Sequence, residues 1–161
     1  MSTATADLCD EHETAIHDGE LAILAGDWRW FGQLRSLKGS VSTLAAAGCN
    51  YEIRQALAEL GAGRILFIDA QGDKGACIGE NLALLAQRNG WGGLIIKGNI
   101  RDASQLQHVP LGIVAQGTWP RRSENKEGGR RDVRLVLGNE HVSPGDIVCA
   151  DEDGVVILRH P

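Results

Sequence analysis

Two short segments hold the residue types that could do chemistry. The first is Gly98-Asn99-Ile100-Arg101-Asp102. An arginine can grip a carboxylate through two parallel hydrogen bonds, and the aspartate beside it can hold a hard divalent cation such as Mg2+, directly or through water. A 2-oxo acid carries a carboxylate next to a ketone, so an anion grip adjoining a metal site would bind one group and polarise the other. The same pair also suits a surface arginine and an aspartate capping a short helix, and spacing alone leaves both readings open. The second segment is Gly79-Glu80-Asn81-Leu82, at an expected helix N-terminus. Unpaired N–H groups and the positive end of the helix dipole make such a turn a cradle for carboxylate or phosphate, and glycine allows close approach. Taken alone, these residues are more commonly a plain helix start with an acidic residue in its first turn.

The elements around these segments follow from hydrophobic spacing. Asn50 is a suitable N-cap, Ile53, Ala56, Leu57 and Leu60 recur at helical spacing, and Gly61 supplies a stop. Arg64 to Asp69 reads as a buried strand, Ala70 to Gly79 as a glycine-containing loop, and Gly79 to Asn89 as an amphipathic helix ended at Gly90. Gly93 to Lys97 is a second buried strand, so the whole is a strand, loop, helix, strand unit of the crossover kind, in which ligands lie outside the carboxyl ends of the strands. A short helical piece follows Asp102, then a strand from Gly112 to Gln116 and a polar loop from Arg121 to Arg131. Val133 to Leu137, Ile147 to Cys149 and Gly154 to Leu158 read as strands, separated by turns at Gly138-Asn139 and Ser143-Pro144-Gly145-Asp146. Thr5 to His17 reads as one short helix, and Trp28 and Trp30 share one face of a strand. These terminal strands lack intervening helices, so the expectation is an α/β protein: a single three-layer β/β/α domain over residues 1–161 with the crossover unit embedded in it.

Composition narrows the function classes. With 161 residues the chain has room for one domain of ordinary size. Only 4% of residues are aromatic, so aliphatic side chains must fill the core, and twenty-one glycines against four prolines suit short strands and tight turns. Sixteen basic and twenty-one acidic residues leave a charge of −5, which argues against a general nucleic-acid or anionic-membrane surface. No apolar run approaches the ~20 residues of a membrane helix and no signal peptide is visible, so the expected compartment is the cytoplasm. Cys9, Cys49, Cys77 and Cys149 contain no C-x-x-C pair and are expected to be reduced, structural residues. His12, His17, His108, His141 and His160 lack metal-ligand spacing. Neither G-x-G-x-x-G nor the phosphate-loop pattern is present, which removes dinucleotide and P-loop functions. Arg121, Arg122, Lys126, Arg130 and Arg131 form a basic segment suited to an anion, an acidic partner or plain solvation. Asp151-Glu152-Asp153 fits a carboxylate metal site and an acidic turn alike.

Taken in order, Thr5-Ala6-Asp7-Leu8-Cys9-Asp10, Ile65 to Gly72, Gly79-Glu80, Gly98-x-x-Arg101-Asp102 and Pro144-Gly145-Asp146…Ala150-Asp151-x-Asp153-Gly154-Val155-Val156 resemble the regulator of ribonuclease activity A family, which is shared with the class II 4-hydroxy-4-methyl-2-oxoglutarate aldolases. The resemblance implies a swivelling-type domain assembled as a homotrimer or hexamer with sites at subunit interfaces. For the aldolase branch it implies that Gly79, Glu80, Asn81 and Leu82, through their backbone, and Arg101, through its side chain, hold the pyruvate-like part of a small 2-oxo acid. Asp102 would anchor Mg2+ or Mn2+, making Arg101 and Asp102 the catalytic pair. The implied activity is a divalent-metal-dependent lyase, aldolase or oxaloacetate decarboxylase, that passes through a metal-stabilised pyruvate enolate. The family's other branch implies a noncatalytic regulator that binds ribonuclease E. The aspartate of the Arg-Asp pair is expected to be absent from those regulators, and its retention as Asp102 favours the lyase.

Overall fold

Alternation along the central strands decides the architecture. The computed structural model describes residues 4–160. Strand β4 (Ile65–Asp69) is buried at every position. Its Ile65 and Phe67 join one apolar cluster while Leu66 and Ile68 join another, because successive side chains of a strand point to opposite faces. Leu94, Ile95 and Ile96 of β6 (Gly93–Ile100) divide in the same way, as do Ile113, Val114 and Ala115 of β7 (Gly112–Thr118). A sheet covered on both faces reads as continuous apolar runs, which is how these segments read in the sequence.

One cover is helical. Ile53, Ala56 and Leu57 of α3 (Asn50–Leu57), Leu82, Ala83 and Ala86 of α4 (Glu80–Arg88) and Leu106 of α5 (Ala103–Leu106) pack on Leu66, Ile68, Leu94 and Ile96. The other cover is β. Ala22 and Leu24 of β1 (Leu21–Leu24), Val148 and Ala150 of β11 (Ile147–Asp151) and Val155 and Ile157 of β12 (Gly154–Leu158) pack on Ile65, Phe67 and Ile95. Leu135 and Val142 join them from the hairpin of β9 (Leu135–Leu137) and β10 (Glu140–Val142). At the edge of this cluster Trp28 lies edge-on to Phe67, with centroids 6.2 Å apart, and Trp30 of β2 (Arg29–Trp30) packs beside it. Both tryptophans pack against this cluster, although only Trp30 lies within the strand that their spacing predicts for the pair.

Strand β3 (Leu37–Ala45) ties the covers together. Leu37 to Ser40 pair antiparallel with β11, and Val41 to Ala45 pair parallel with β4. The full order is β1-β12-β11-β3-β4-β6-β7-β2, with β3, β4, β6 and β7 parallel. A Cβ at Gly39, beside the point of handover, would sit 2.7 Å from the Gly63 carbonyl oxygen. A side chain there would push the strands apart. No helix among the described residues is long and apolar enough to cross a membrane.

Several sequence expectations change in detail. Thr5 to His17 breaks at His12 into α1 (Thr5–Glu11) and α2 (Glu13–His17), because His12 leaves the helical region at φ −122°, ψ 37°. Asn50 is the first residue of α3 and Cys49 its N-cap. That helix ends at Leu57, so Leu60 falls outside it and is 76% exposed. Gly61 is therefore not its stop; a Cβ there would meet the Trp91 backbone nitrogen at 2.5 Å. The stretch from Ala70 to Gly79 contains strand β5 (Ala76–Ile78), paired parallel with the end of β6. β6 itself runs on through Gly98 to Ile100, past its expected end at Lys97. The polar segment ends in β8 (Arg130–Arg131), which pairs with β3. Gly90, Gly138 and Gly145 do adopt the positive φ that their turns require.

Candidate functional site

The parallel strands end where a cavity begins. Ala45 ends β3 ahead of α3, Ile78 ends β5 ahead of α4, and Ile100 ends β6 ahead of Arg101. Between these points lies a cavity of about 270 Å³, just under the ~300–1,000 Å³ range of common ligand sites and suited to a small acid. Gly79, Asn81, Leu82, Arg101 and Asp102 line it together, so residues 22 positions apart in sequence meet there. Glu80 does not line it with its side chain. Its backbone N–H instead donates to Asp102 Oδ2 at 2.9 Å.

This bond joins the two sequence segments into one unit. Glu80 supplies the first amide of α4, one of the donors that a helix start leaves without an intrahelical acceptor. Asp102 satisfies it from across the site. Its backbone is held left-handed, at φ 60° and ψ 39°, a conformation that aspartate tolerates better than most residues, and its carbonyl accepts from Leu106 N–H at 2.9 Å to start α5. The carboxylate thus turns away from its own helix and caps α4. Gly79 is extended at φ −131°, so positive φ is not the reason for glycine here. A Cβ at position 79 would stand 2.6 Å from Asp102 Oδ2, and the missing side chain makes room for that carboxylate.

Arg101 is held by its backbone and loose at its tip. Its N–H donates to the Ile78 carbonyl at 2.9 Å, fastening β6 to β5. Its guanidinium makes one long contact, 3.5 Å to the Pro120 carbonyl, at the limit of a hydrogen bond. The fork is left to take a carboxylate in two parallel bonds. The amides of Asn81 and Leu82, next in the first turn of α4, have no carbonyl four residues back within the helix and face the same need for an acceptor.

Asp102 Oδ1 has no hydrogen-bond donor among the described residues, and no three His, Cys, Asp or Glu side chains converge there into a metal cluster. The site therefore offers a cation one fixed carboxylate. That donor set fits Mg2+, which keeps several waters and takes remaining ligands from substrate, rather than a cation that needs a full protein cage.

Four further lining residues were not among the sequence candidates or were given no role: Asn50, Tyr51 and Arg54 of α3, and Arg122. The basic segment marked Arg122, but nothing in the spacing of α3 connects Arg54 to Arg101. Cys77 also lines the cavity, fully buried; burial, with Asp73 nearby, pushes its thiol up to about 12 despite the opposing hydrogen bond with Ser123. It is a structural thiol rather than a nucleophile, as the sequence suggests. The acidic turn is structural too. Asp151 accepts from Thr5 Oγ1 at 2.6 Å, Thr5 N–H at 2.8 Å and Asp153 N–H at 3.0 Å, so both its oxygens are engaged within the protein, and no three His, Cys, Asp or Glu side chains gather there among the described residues.

Fold and cavity together define a class: a mixed α/β protein with a cavity at the carboxyl ends of its parallel strands, lined by arginines and by an aspartate fixed to a helix start. A family model described as RraA-like, Aldolase/RraA, matches residues 5–157, and the chain belongs to that family. It is 40% identical over 162 residues to a protein of Paraburkholderia phymatum, covering 100% of this chain and 99% of that one. It is 43% identical over 158 residues to one of Paraburkholderia phytofirmans, covering 98% and 96%. Both relatives carry the name "Putative 4-hydroxy-4-methyl-2-oxoglutarate aldolase". Among solved structures, the RNA-processing inhibitor RraA from Thermus thermophilis superposes with a TM-score of 0.90 at 35% identity, over 100% of this chain and 95% of that one. A Geobacillus kaustophilus structure, described as an S-adenosylmethionine:2-dimethylmenaquinone methyltransferase, also gives 0.90, at 34% identity over 98% and 96%.

Proposed function

We propose that the protein is a divalent-metal-dependent lyase that cleaves a C–C bond of short 2-oxo acids, with 4-hydroxy-4-methyl-2-oxoglutarate as aldol substrate and oxaloacetate as substrate for decarboxylation. The observation that carries this reading is the bond from Glu80 N–H to Asp102 Oδ2, which sets a half-free carboxylate beside the Arg101 guanidinium in one cavity. Arg101 grips the carboxylate next to the ketone, and the amides of Asn81 and Leu82 donate to the same end of the substrate. The Glu80 amide fixes Asp102, and Gly79 leaves it space. Asp102 would hold a Mg2+ or Mn2+ ion, which would supply positive charge to offset the negative charge that develops on the ketone oxygen as the bond breaks. In the aldol case the C4 hydroxyl loses its proton as the C3–C4 bond breaks, and C3 is reprotonated to complete pyruvate. The working form is a homotrimer or hexamer, with exposed apolar side chains such as Tyr51 and Trp119 near the cavity available for contacts.

Pyruvate release from 4-hydroxy-4-methyl-2-oxoglutarate and from oxaloacetate tests the reading. Turnover is expected with Mg2+ or Mn2+, is lost on chelation and returns when the ion is restored. Asp102→Ala is expected to lower kcat/KM more than ~100-fold, equivalent to roughly 2.7 kcal/mol of transition-state stabilisation. Chelator-resistant turnover, or an unaffected Asp102→Ala protein, would refute the mechanism.

The likeness to an RNA-processing inhibitor supports a second reading, in which the acidic chain acts as a regulator that binds ribonuclease E. A pull-down with purified ribonuclease E, paired with an RNA-cleavage assay, separates the two: a regulator forms a complex and slows cleavage.

A further inference from the structure

One wall of the cavity is neither strand nor helix. It belongs to residues 119–129, which join β7 to β8 and run past β5 and the turn between β3 and α3. Beyond Trp119 and Pro120 this segment carries no apolar side chain, so hydrophobic burial does not hold it down. Of the described residues 119–129, Ser123 alone is buried, at 5% exposure. Its hydroxyl donates to Asp73 Oδ2 at 2.6 Å and shares a further hydrogen bond with Cys77, which lines the cavity.

The surroundings are shaped to the backbone of the segment. Ala76 N–H donates to the Arg121 carbonyl at 2.9 Å, and Ser123 N–H donates to the Ala76 carbonyl at 3.2 Å. A Cβ at Gly75 would stand 2.6 Å from Ser123 Cα, so only glycine lets the segment lie this close. Further on, Asn125 donates from its backbone N–H to the Gly48 carbonyl at 3.1 Å and from its side chain to the Ala47 carbonyl at 2.6 Å. Asp73 lies between these two anchor points: a Cβ at Gly48 would be 3.1 Å from Asp73 Oδ2 and 2.9 Å from Asn125 Nδ2.

Asp73 is itself fixed by the sheet. Its N–H donates to the Ala70 carbonyl at 3.1 Å in the turn after β4, and Asn99 of β6 donates from Nδ2 to the neighbouring Lys74 carbonyl at 2.8 Å. A firmly placed carboxylate thus meets a segment held by polar contacts. Segments with few buried apolar contacts open locally at low cost, and a hydrogen bond to a charged acceptor is among the stronger ways to keep one closed. The effect reaches the site through residues close to Ser123 in the chain: the Pro120 carbonyl meets Arg101, and Arg122 lines the cavity. Asp73 does not line that cavity and acts on it only through the segment.

We propose that Asp73 is a positioning residue: through Ser123 it holds residues 119–125 in place as a wall of the cavity, and so sets the affinity for the 2-oxo acid rather than the rate of its cleavage. This rests on the reading of the cavity as the 2-oxo acid site.

Hydrogen exchange, calorimetric binding of pyruvate in Mg2+ and turnover of oxaloacetate, all on the full chain, test this together. Asp73→Ala and Ser123→Ala are each expected to speed exchange at the Ser123 and Asn125 amides by roughly 10-fold or more, while amides of β4 and β6 keep their wild-type rates. In the same variants the Kd for pyruvate should rise roughly 5- to 20-fold with kcat within about threefold of wild type. Asp73→Asn keeps an acceptor oxygen and should restore most of both losses. Unchanged exchange at Ser123, an unchanged Kd, a loss confined to kcat, or an Asp73→Asn protein no better than Asp73→Ala would each overturn the assignment. Faster exchange throughout β4 and β6 would mean a role in folding alone and would overturn it too. A wild-type protein that binds pyruvate in an Asp73-dependent way yet cleaves no oxaloacetate or 4-hydroxy-4-methyl-2-oxoglutarate overturns the lyase reading and leaves the positioning role standing. An active enzyme whose Asp73→Ala variant keeps its affinity does the reverse.

Discussion

At the scale of single residues the site depends on one contact, Asp102 Oδ2 with the Glu80 amide, and on the missing side chain of Gly79 that permits it. A methyl group at position 79 displaces the end of a short side chain rather than backbone. Gly79→Ala is therefore expected to lose up to about 1.5 kcal/mol of folding stability, the scale of one hydrogen bond. Turnover should suffer far more, because the displaced carboxylate is the one proposed to hold the cation. The expected outcome is a loss of more than ~10-fold in kcat/KM with the urea midpoint lowered by no more than about 1 M; a variant with full activity would show that the contact is only structural. The glycine was legible in the sequence, but its reason was not. Sequence reasoning assigned the space to a ligand, whereas the structure gives it to a protein carboxylate.

At the scale of elements, the N-terminal helix is clasped to the far end of the sheet. Thr5 donates twice to Asp151, and the Trp30 indole N–H donates to the Asp151 carbonyl at 2.8 Å. Burial alone would raise the Asp151 carboxyl, but the bonds from Thr5, with the Asp153 and Gly154 amides, outweigh it and hold the group below the ordinary carboxylate value. A carboxyl lowered in the folded state contributes stability that is complete above its unfolded value of ~3.9 and is lost as pH falls through the folded one. Asp151→Asn should therefore be less stable than wild type at pH 6, with the gap closing below about pH 4, as read by denaturant unfolding at both pH values. A gap that does not change with pH would mean that the carboxylate charge plays no part in the clasp. The sequence marked these acidic residues as a turn or a metal site, and the choice needed Thr5, 146 positions away.

At the scale of the whole molecule, the proposed assembly has a direct reading. Light scattering on the purified protein is expected to give three or six times the 17.2 kDa chain mass, and a monomer under conditions of full turnover would refute it. Leu60, Val136 and Tyr51, three of the apolar side chains left outside the core, are 60–76% exposed in the isolated chain. Burial of such surface upon association is favourable at roughly 25 cal/mol per Å².

Local rules were enough for the parallel core, for α4 with its stop at Gly90, and for the pairing of a helix start with Arg101 and Asp102. Buried strands are apolar throughout, amphipathic helices repeat every 3.6 residues, and turns need glycine, so each leaves its mark within a few neighbours. What the chain order could not express were relations across distance. β5 is three residues long and takes its partner from the end of β6. Leu60 fits the helical repeat, yet lies past the end of α3 and outside the core. Arg54 and Arg122 lie 68 positions apart and meet at one cavity only because α3 follows β3 while the Arg122 segment is pinned to β5. Periodicity reports which face of an element is buried; which faces come together, and hence which charges share a cavity, follows from the packing of all the elements at once.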